Sequence, residues 1–228
     1  MSDKPIVTCP KGEPCLMTAE LEQSKQEIQR LSELVSTDPL TNLFNFRHFS
    51  HELKQEFERS QRTLQPTALI MLDVDYFKKV NDQWGHEVGN LALKLIASCI
   101  IKNVRKLDIA CRYGGEEFAI ILPSSDIATS ARVAERIRKS IEASHLTFTK
   151  TDGTQELLTL TVSAGLSIYT GNTTLVANSL IAAADEQLYQ AKNQGRNQVC
   201  YETQEMAEQQ VSEEEKSALF TMFDNSEP

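Results

Sequence analysis

Four acidic side chains stand at two places where strand-like segments end. Asp73 and Asp75 close the apolar run TALIMLDVD, and Glu116 and Glu117 lie in the short turn between the runs IACRY and FAIIL. Carboxylates at strand ends and hairpin tips can converge at one edge of a sheet, and such hard oxygen ligands suit Mg²⁺. The alternative is that acids at strand ends are simply solvated.

Basic side chains and glycines accompany these acids. Lys78 and Lys79 follow Asp75 within one helical turn, while Lys192 and Arg196 close a later helical segment. Gly114–Gly115 precedes the hairpin acids and lets a ligand approach the backbone. Carboxylates for a metal with separate cations for phosphates indicate a nucleoside triphosphate site. Because the chain has no GxxxxGK[ST] segment, it is not predicted to be a P-loop protein.

The charge of the chain is concentrated in its last residues. The net charge is −9 over 228 residues, but residues 202–228 carry eight of the 32 acids and one of the 23 bases. The remaining body is nearly neutral, which argues against a nucleic-acid-binding face. Five scattered cysteines, the absence of a long apolar run and a polar start predict a cytoplasmic protein without a membrane span or signal peptide.

The order of predicted elements favours an α+β fold with a mixed central sheet and helices packed around it. Residues 1–17 are expected to be a flexible leader. Residues 18–36 are predicted to form a helix, either a short parallel coiled coil or an amphipathic helix that packs on its own domain. A catalytic domain is expected over residues 37–202, and residues 203–228, here called the acidic tail, are expected to be disordered.

Within the domain, the sequence predicts alternating helices and strands. A helix after Thr41 carries Phe46 and Phe49 on its apolar face, and residues 81–86 are expected to be a turn before a helix over residues 88–104. Further predictions are a hairpin around residues 114–117, a helix from Ser125 to about Ala143, one long strand over residues 157–169, a helix over residues 175–194 that stops at Gly195, and a final strand over residues 197–201.

Seven motifs in order resemble those of the GGDEF-domain diguanylate cyclases. They are RYGGEEF (112–118), DPLTNLFN (38–45), LDVDYFKKVND (72–82), GHEVGN (85–90), TVSAG (161–165), AADEQLYQAK (183–192) and GRN (195–197). The resemblance covers roughly residues 36–201. It implies the fold of nucleotidyl cyclases and polymerase palms, with a ferredoxin-like core, and a homodimeric enzyme that condenses two GTP molecules into cyclic di-GMP.

The resemblance also implies roles for individual residues. Asp73, the Val74 carbonyl, Glu116 and Glu117 match the ligands of two Mg²⁺ or Mn²⁺ ions in each GTP site, and Glu116 and Glu117 are the catalytic acids. The remaining residues match contacts to GTP. Asn81 and Asn90 correspond to the positions that contact guanine, and Tyr76, Phe77, Lys78, Lys192 and Arg196 to those that contact the phosphates.

A second motif upstream resembles the family's inhibitory site for its product. Arg105 and Asp108 form the RxxD pattern just before the hairpin, and Arg136 matches the arginine that a neighbouring domain contributes. The resemblance therefore implies feedback inhibition by cyclic di-GMP. The alternative for the RxxD pattern is a solvated helix end.

Three positions depart from the family's usual pattern. Phe46 stands where an arginine often follows Asn45, and the signature reads GGEEF rather than GGDEF. Position 90 carries Asn rather than Asp, so it either contacts guanine differently or caps the helix that follows.

Three functions therefore remain in view. The first is an active diguanylate cyclase, and the second is a non-catalytic receptor that binds cyclic di-GMP at the RxxD site. A scaffold that binds a regulatory protein through its N-terminal helix or acidic tail is compatible with either.

Overall fold

The computed structural model describes residues 21, 23–25, 36–150, 152–171 and 177–202. The predicted leader and acidic tail lie outside these residues, as does most of the predicted helix over residues 18–36. Of that helix, residues 21 and 23–25 are described and are helical.

The described body has the predicted α+β architecture. Its elements in chain order are β1 (Phe44–Asn45), α1 (Phe46–Thr63), β2 (Thr67–Val74), α2 (Phe77–Asn103), β3 (Ile109–Arg112), β4 (Glu117–Pro123), α3 (Ile127–Glu142), β5 (His145–Thr149), β6 (Gln155–Thr159), β7 (Val162–Tyr169), α4 (Ala177–Asn193) and β8 (Val199–Tyr201). In the described ranges, no helix combines the length and the apolarity that crossing a membrane requires.

Strand β2 lies in the middle of a six-stranded sheet with the order β1-β3-β4-β2-β7-β8. It pairs antiparallel with β4 on one side and with β7 on the other. Alternate β2 residues enter two hydrophobic clusters: Ile70 and Leu72 pack with α2 and α3, whereas Leu69 and Met71 pack with α1 and α4. Helices therefore cover both faces of the sheet, which explains why β2 is a continuous apolar run instead of an alternating one.

Local signals set two of the helix starts. The Asn45 side chain accepts a hydrogen bond from the His48 N–H at 3.0 Å, and the Asp126 side chain accepts one from the Thr129 N–H at 2.7 Å. Both are N-caps of the preferred chemistry. Phe46, predicted on the apolar face of α1, is 51% exposed because it sits at the helix start, where its ring contacts Phe49 and Tyr113.

Two sequence predictions of secondary structure are wrong in part. Residues 81–86 are mostly helical within α2, and the predicted turn is reduced to a kink at Gly85, with a φ of 84°, where two helical segments meet. The predicted long strand over residues 157–169 is divided at Leu160–Thr161, because β6 pairs with the unpredicted β5 in a separate two-stranded sheet while β7 joins the main sheet. The β5–β6 pair is mostly exposed and short, so its apolar signal is weak.

One glycine is required by packing between β7 and α4. A Cβ on Gly165 would lie 2.1 Å from the Ala184 carbonyl oxygen and 2.2 Å from the Leu188 nitrogen. The helix can therefore approach the strand closely, which fixes the position of α4 and of Lys192 in its last turn.

Candidate functional site

The acids of β2 and of the β3–β4 hairpin meet at one edge of the sheet. Asp73 lies directly opposite Glu117 in the β2–β4 ladder, and the Val74 N–H donates to the Glu116 carbonyl oxygen at 3.3 Å. Gly114 leaves room for the Glu117 carboxylate, because a Cβ there would lie 2.4 Å from Glu117 Oε2. The sheet register thus places three carboxylates within one small region.

Asp75 serves a different purpose from Asp73. Its carboxylate accepts hydrogen bonds from the Ser163 hydroxyl at 2.7 Å, the Thr161 hydroxyl at 2.8 Å and the Asn197 N–H at 3.1 Å. The side chain is only 5% exposed. Asp75 therefore ties the end of β2 to the start of β7 and to the loop after α4, and its oxygens point to protein donors.

Lys192 brings a positive charge from α4 onto the acidic edge. Its Nζ lies 2.9 Å from Asp73 Oδ2. Burial raises the pKa of Asp73, although Lys192 opposes that change. Burial, followed by the nearby charge of Asp73, raises the pKa of Glu116 as well. Asp73 and Glu116 therefore repel each other electrostatically, and a bound cation would relieve this repulsion.

The donor set fits a hard cation that takes only part of its ligands from the protein. Within the described residues, no three His, Cys, Asp or Glu side chains lie close enough together to hold a metal ion by themselves. The groups at the edge are carboxylate and carbonyl oxygens from Asp73, Val74, Glu116 and Glu117. Mg²⁺ accepts such a partial set, since it takes one or two carboxylates and completes its shell with phosphate oxygens and water.

The start of α2 provides backbone donors beside these acids. Tyr76 has a φ of 56° and precedes the helix without a side-chain cap, and the helix begins with Phe77 and the exposed Lys78. The first N–H groups of a helix have no partner within it and carry the positive end of its dipole. They form a site for an anion such as a phosphate.

Two positively charged side chains lie over the ring of Tyr76. The Arg196 guanidinium carbon lies 4.7 Å from the ring centroid and Lys79 Nζ lies 4.4 Å from it. Arg196 follows α4 with a φ of 64°, and its N–H donates to the Ala191 carbonyl at 3.0 Å. The ring therefore positions Arg196 next to the start of α2.

The interruption of α2 at Gly85 brings Asn81 against Gly89. A Cβ on Gly89 would lie 2.0 Å from Asn81 Oδ1, so any larger residue would displace the Asn81 amide from this position. Asn81 is half-buried, whereas the neighbouring Asn90 is exposed. The side-chain amides of Asn81 and Asn90 therefore both lie near Gly89, and Asn90 is accessible to a ligand.

Arg112, which was not singled out from the sequence, connects two parts of the chain. Its guanidinium donates to the Asp38 carboxylate at 3.3 Å and to the Gly115 carbonyl at 2.7 Å. Asp38 also accepts from the Thr41 N–H at 2.9 Å. Burial acts to raise the pKa of Asp38, but the Thr41 hydrogen bonds and the Arg112 charge hold it below its ordinary value. The D-x-x-T spacing at 38–41 was a local signal for this turn.

The RxxD residues form a compact turn after α2. The Arg105 N–H donates to Asp108 Oδ2 at 2.7 Å, and the Arg136 guanidinium donates to the Asn103 carbonyl. Burial raises the pKa of Asp108, while the positive charges of Arg105 and Arg136 oppose that change. Both arginines are exposed, so the structure brings the three residues together on one surface.

Comparisons with known proteins agree with this geometry. The family described as "Diguanylate cyclase, GGDEF domain" matches residues 35–198. The response regulator PleD of Caulobacter vibrioides is 41% identical over 167 residues, which cover 73% of this chain and 36% of PleD. The chain therefore spans little more than a third of that relative's length.

Two solved structures have the same fold. The coiled coil and GGDEF domain of DgcB from Caulobacter crescentus, in complex with c-di-GMP, is 31% identical with a TM-score of 0.70, covering 82% of this chain and 95% of that one. The diguanylate cyclase SiaD from Pseudomonas aeruginosa, in complex with its activator SiaC, is 34% identical with a TM-score of 0.69, covering 82% of this chain and 71% of SiaD. This chain belongs to the GGDEF-domain diguanylate cyclase family.

Proposed function

We propose that this chain is a diguanylate cyclase, a nucleotidyltransferase that condenses two GTP molecules into cyclic di-GMP and two pyrophosphates. The observation that carries the proposal is the pairing of Asp73 with Glu117 across the β2–β4 ladder, with Lys192 2.9 Å from Asp73. The uncapped start of α2 follows within a few residues. Acids beside phosphate-binding donors suit transfer at the α-phosphate of GTP.

Asp73, the Val74 carbonyl, Glu116 and Glu117 would hold two Mg²⁺ or Mn²⁺ ions per GTP site. Such ions neutralise charge on the phosphates and lower the pKa of an attacking hydroxyl. In the proposed mechanism, Glu116 accepts the proton of the 3′-hydroxyl as it attacks the α-phosphate of the second GTP, and pyrophosphate leaves. Its raised pKa suits a proton acceptor.

The phosphates of GTP would lie at the start of α2. The N–H groups of Tyr76 and Phe77 would bind the terminal phosphates, and Lys78, Lys192 and Arg196 would compensate their charge. The contact between Arg196 and the Tyr76 ring supports this assignment, because it holds the guanidinium near those N–H groups.

Asn81 and Asn90 would contact guanine. An amide at position 90 cannot accept from both N1–H and the amino group of guanine as a carboxylate does, but it can accept from N1–H and donate to O6. That arrangement keeps guanine as the preferred base with weaker discrimination against adenine. Asn81, packed against Gly89, would supply the remaining selectivity.

Each site would hold one GTP, so the condensation of two GTP molecules requires two sites. Two chains must face each other as a homodimer, and the predicted helix over residues 18–36 would promote that dimer. SiaD is found in complex with an activator, and a regulatory protein could act on this chain through its N-terminal helix or acidic tail. Because GTP is a cytoplasmic substrate, the enzyme would work in the cytoplasm.

Arg105, Asp108 and Arg136 would bind the product and provide feedback inhibition. The Asp108 carboxylate faces both a backbone N–H and the two arginine charges, which supports a preorganised anion-binding turn. The alternative function, a non-catalytic receptor for cyclic di-GMP, would use this site alone. The enzyme is favoured because the chain keeps both hairpin acids, Lys192 and Arg196.

The test is to incubate the purified chain with GTP and Mg²⁺ and to measure pyrophosphate and cyclic di-GMP. Glu116→Gln should lower the rate at least about 100-fold, the usual loss when an acid–base group is removed. Glu58→Gln, at an exposed position of α1, is the matched control and should leave the rate unchanged. A wild-type chain that binds cyclic di-GMP but forms none from GTP would be the receptor.

A further inference from the structure

A basic groove runs between the outer face of α3 and the end of β8. It is an open depression with a volume of about 740 Å³. Arg132, Arg136 and Lys139 of α3 line it, together with an apolar floor that includes Ala131, Val199 and Tyr201. We call this surface the α3–β8 groove.

Two arginines in the α3–β8 groove form their side-chain hydrogen bonds with neutral oxygens. Arg132 donates to the Thr129 hydroxyl at 3.2 Å, and Arg136 donates to the Asn103 carbonyl. Glu135, the acid in the groove, already pairs with Arg138 at 2.7 Å and with Lys139 at 3.5 Å. In the part of the chain that the structure describes, no carboxylate lies within ion-pair distance of Arg132 or Arg136, so the groove fits an acidic, partly apolar segment.

The acidic tail begins at this groove. Within the described ranges, β8 is the edge strand of the sheet and pairs with β7. Tyr201, which lines the groove, is two residues before residue 203. The tail contains seven acids and one base, with the run Glu213–Glu215 followed by Leu219, Phe220, Met222 and Phe223. An extended chain spans up to about 3.3 Å per residue, so Glu213 can reach any point of the groove.

We propose that the acidic tail docks in the α3–β8 groove of its own chain. The carboxylates of Glu213–Glu215 pair with Arg132 and Arg136, and the apolar residues 219–223 cover the floor around Val199. The charges are complementary, and the covalent connection gives the tail an effective concentration of about millimolar near the groove. A local dissociation constant below about millimolar, from the ion pairs and the apolar contacts together, therefore suffices to keep it bound.

Docking has a regulatory consequence that rests on the proposed function. Arg136 belongs both to the groove and to the proposed product site. Because one guanidinium cannot pair with tail carboxylates and product phosphates at once, the tail competes with cyclic di-GMP. The tail would thus raise the product concentration at which inhibition begins.

Carbodiimide cross-linking of the full chain tests the docking. The reagent joins an amine to a carboxylate in direct contact, and mass spectrometry should find Lys139 joined to glutamates of the acidic tail. Arg132→Glu should lower that yield about fivefold, the effect of losing about 1 kcal/mol of pairing. Lys54, exposed on α1, is the matched control and should not be joined to the tail.

A charge swap and isotope labelling complete the test. Adding Glu213→Lys and Glu214→Lys to Arg132→Glu should restore protection of α3 from amide hydrogen exchange, which Arg132→Glu alone should lose. An Arg132→Glu yield equal to the wild type would overturn the proposal. Cross-links mainly between ¹⁵N-labelled and unlabelled chains would also overturn it, since the occupant would be a second copy.

Adding cyclic di-GMP separates this proposal from the proposed product site. Saturating product should lower the Lys139 cross-link, and calorimetry should show that Glu213→Gln with Glu214→Gln binds product several-fold more tightly. If calorimetry detects no product binding while the cross-link persists, the product site is wrong and the docking stands. If product binds and the cross-link is unchanged, competition is refuted.

Discussion

The buried carboxylate of Asp75 allows a sharp test of how the site is held together. It accepts three hydrogen bonds, from the Ser163 and Thr161 hydroxyls and the Asn197 N–H, at 2.7, 2.8 and 3.1 Å. Asp75→Asn keeps the size of the side chain and removes its charge. The two hydroxyls can rotate to suit the amide, so the main loss is the charge assistance of the three bonds.

The loss in the free energy of unfolding can be worked out from the number of hydrogen bonds to Asp75. A hydrogen bond to a charged group contributes about 1.5–3 kcal/mol and a neutral one about 0.5–1.5 kcal/mol. Three bonds weakened by about 1 kcal/mol each, less the smaller cost of burying a neutral amide, give a net loss of about 2 kcal/mol in the free energy of unfolding. For a chain of this size the melting temperature should fall by about 4–8 °C.

Asp73→Asn is the matched control, because it makes the same chemical change two residues away. Asp73 is buried to a similar extent, but its carboxylate pairs with Lys192, which is partly exposed and can be hydrated, and it lies near the like charge of Glu116. We expect this variant to lose cyclase activity while its melting temperature, measured by calorimetry at neutral pH, stays within about 2 °C of the wild type. Equal melting temperatures for Asp75→Asn and the wild type, or an equal fall for both variants, would refute the reasoning.

Three further predictions concern the base, the product and the N-terminal turn. Asn90→Asp should lower KM for GTP and sharpen the preference for GTP over ATP by at most about 1–3 kcal/mol in steady-state kinetics; unchanged values would mean that position 90 does not contact the base. Arg105→Ala should relieve product inhibition and raise the final yield of cyclic di-GMP. A wild-type chain that added product does not inhibit would contradict this prediction. The pKa of Asp38 lies below its ordinary value, so its stabilisation is complete above about pH 4 and is lost as the pH falls through the folded-state pKa. Asp38→Asn should therefore melt below the wild type at pH 7 and converge with it in strong acid.

The elements that the sequence predicts well depend on local signals. The helix that starts after Ser125–Asp126 and the glycine hairpin at 114–115 are formed by neighbouring residues, and the structure has both. The helical part of α2 extends further than expected, because the break is confined to a kink at Gly85. A run of turn-forming residues cannot reveal how few of its members the break takes up.

The site was less predictable where its contacts are distant in sequence. Asp73 and Asp75 are the same residue type, yet the Asp75 carboxylate accepts hydrogen bonds from donors 86 to 122 residues away in the sequence. The division of residues 157–169 at Leu160 depends likewise on the partner strand β5. Position along the chain identifies which acids stand at strand ends, but only the packed sheet distinguishes those left open to a ligand.

The guanidinium of Arg112 joins the turn at Asp38 directly to the acidic hairpin at Gly115. Residues 36 and 37 are held to the body by the hydrogen bond from the Asn45 N–H to the Ser36 carbonyl and by the bridge between Thr37 and Phe44. A displacement imposed upstream of residue 36 would therefore reach the hairpin through the two contacts of Arg112, by a route that does not pass through β2. Any input that moves this turn could act on the hairpin in the same way, whatever its own structure.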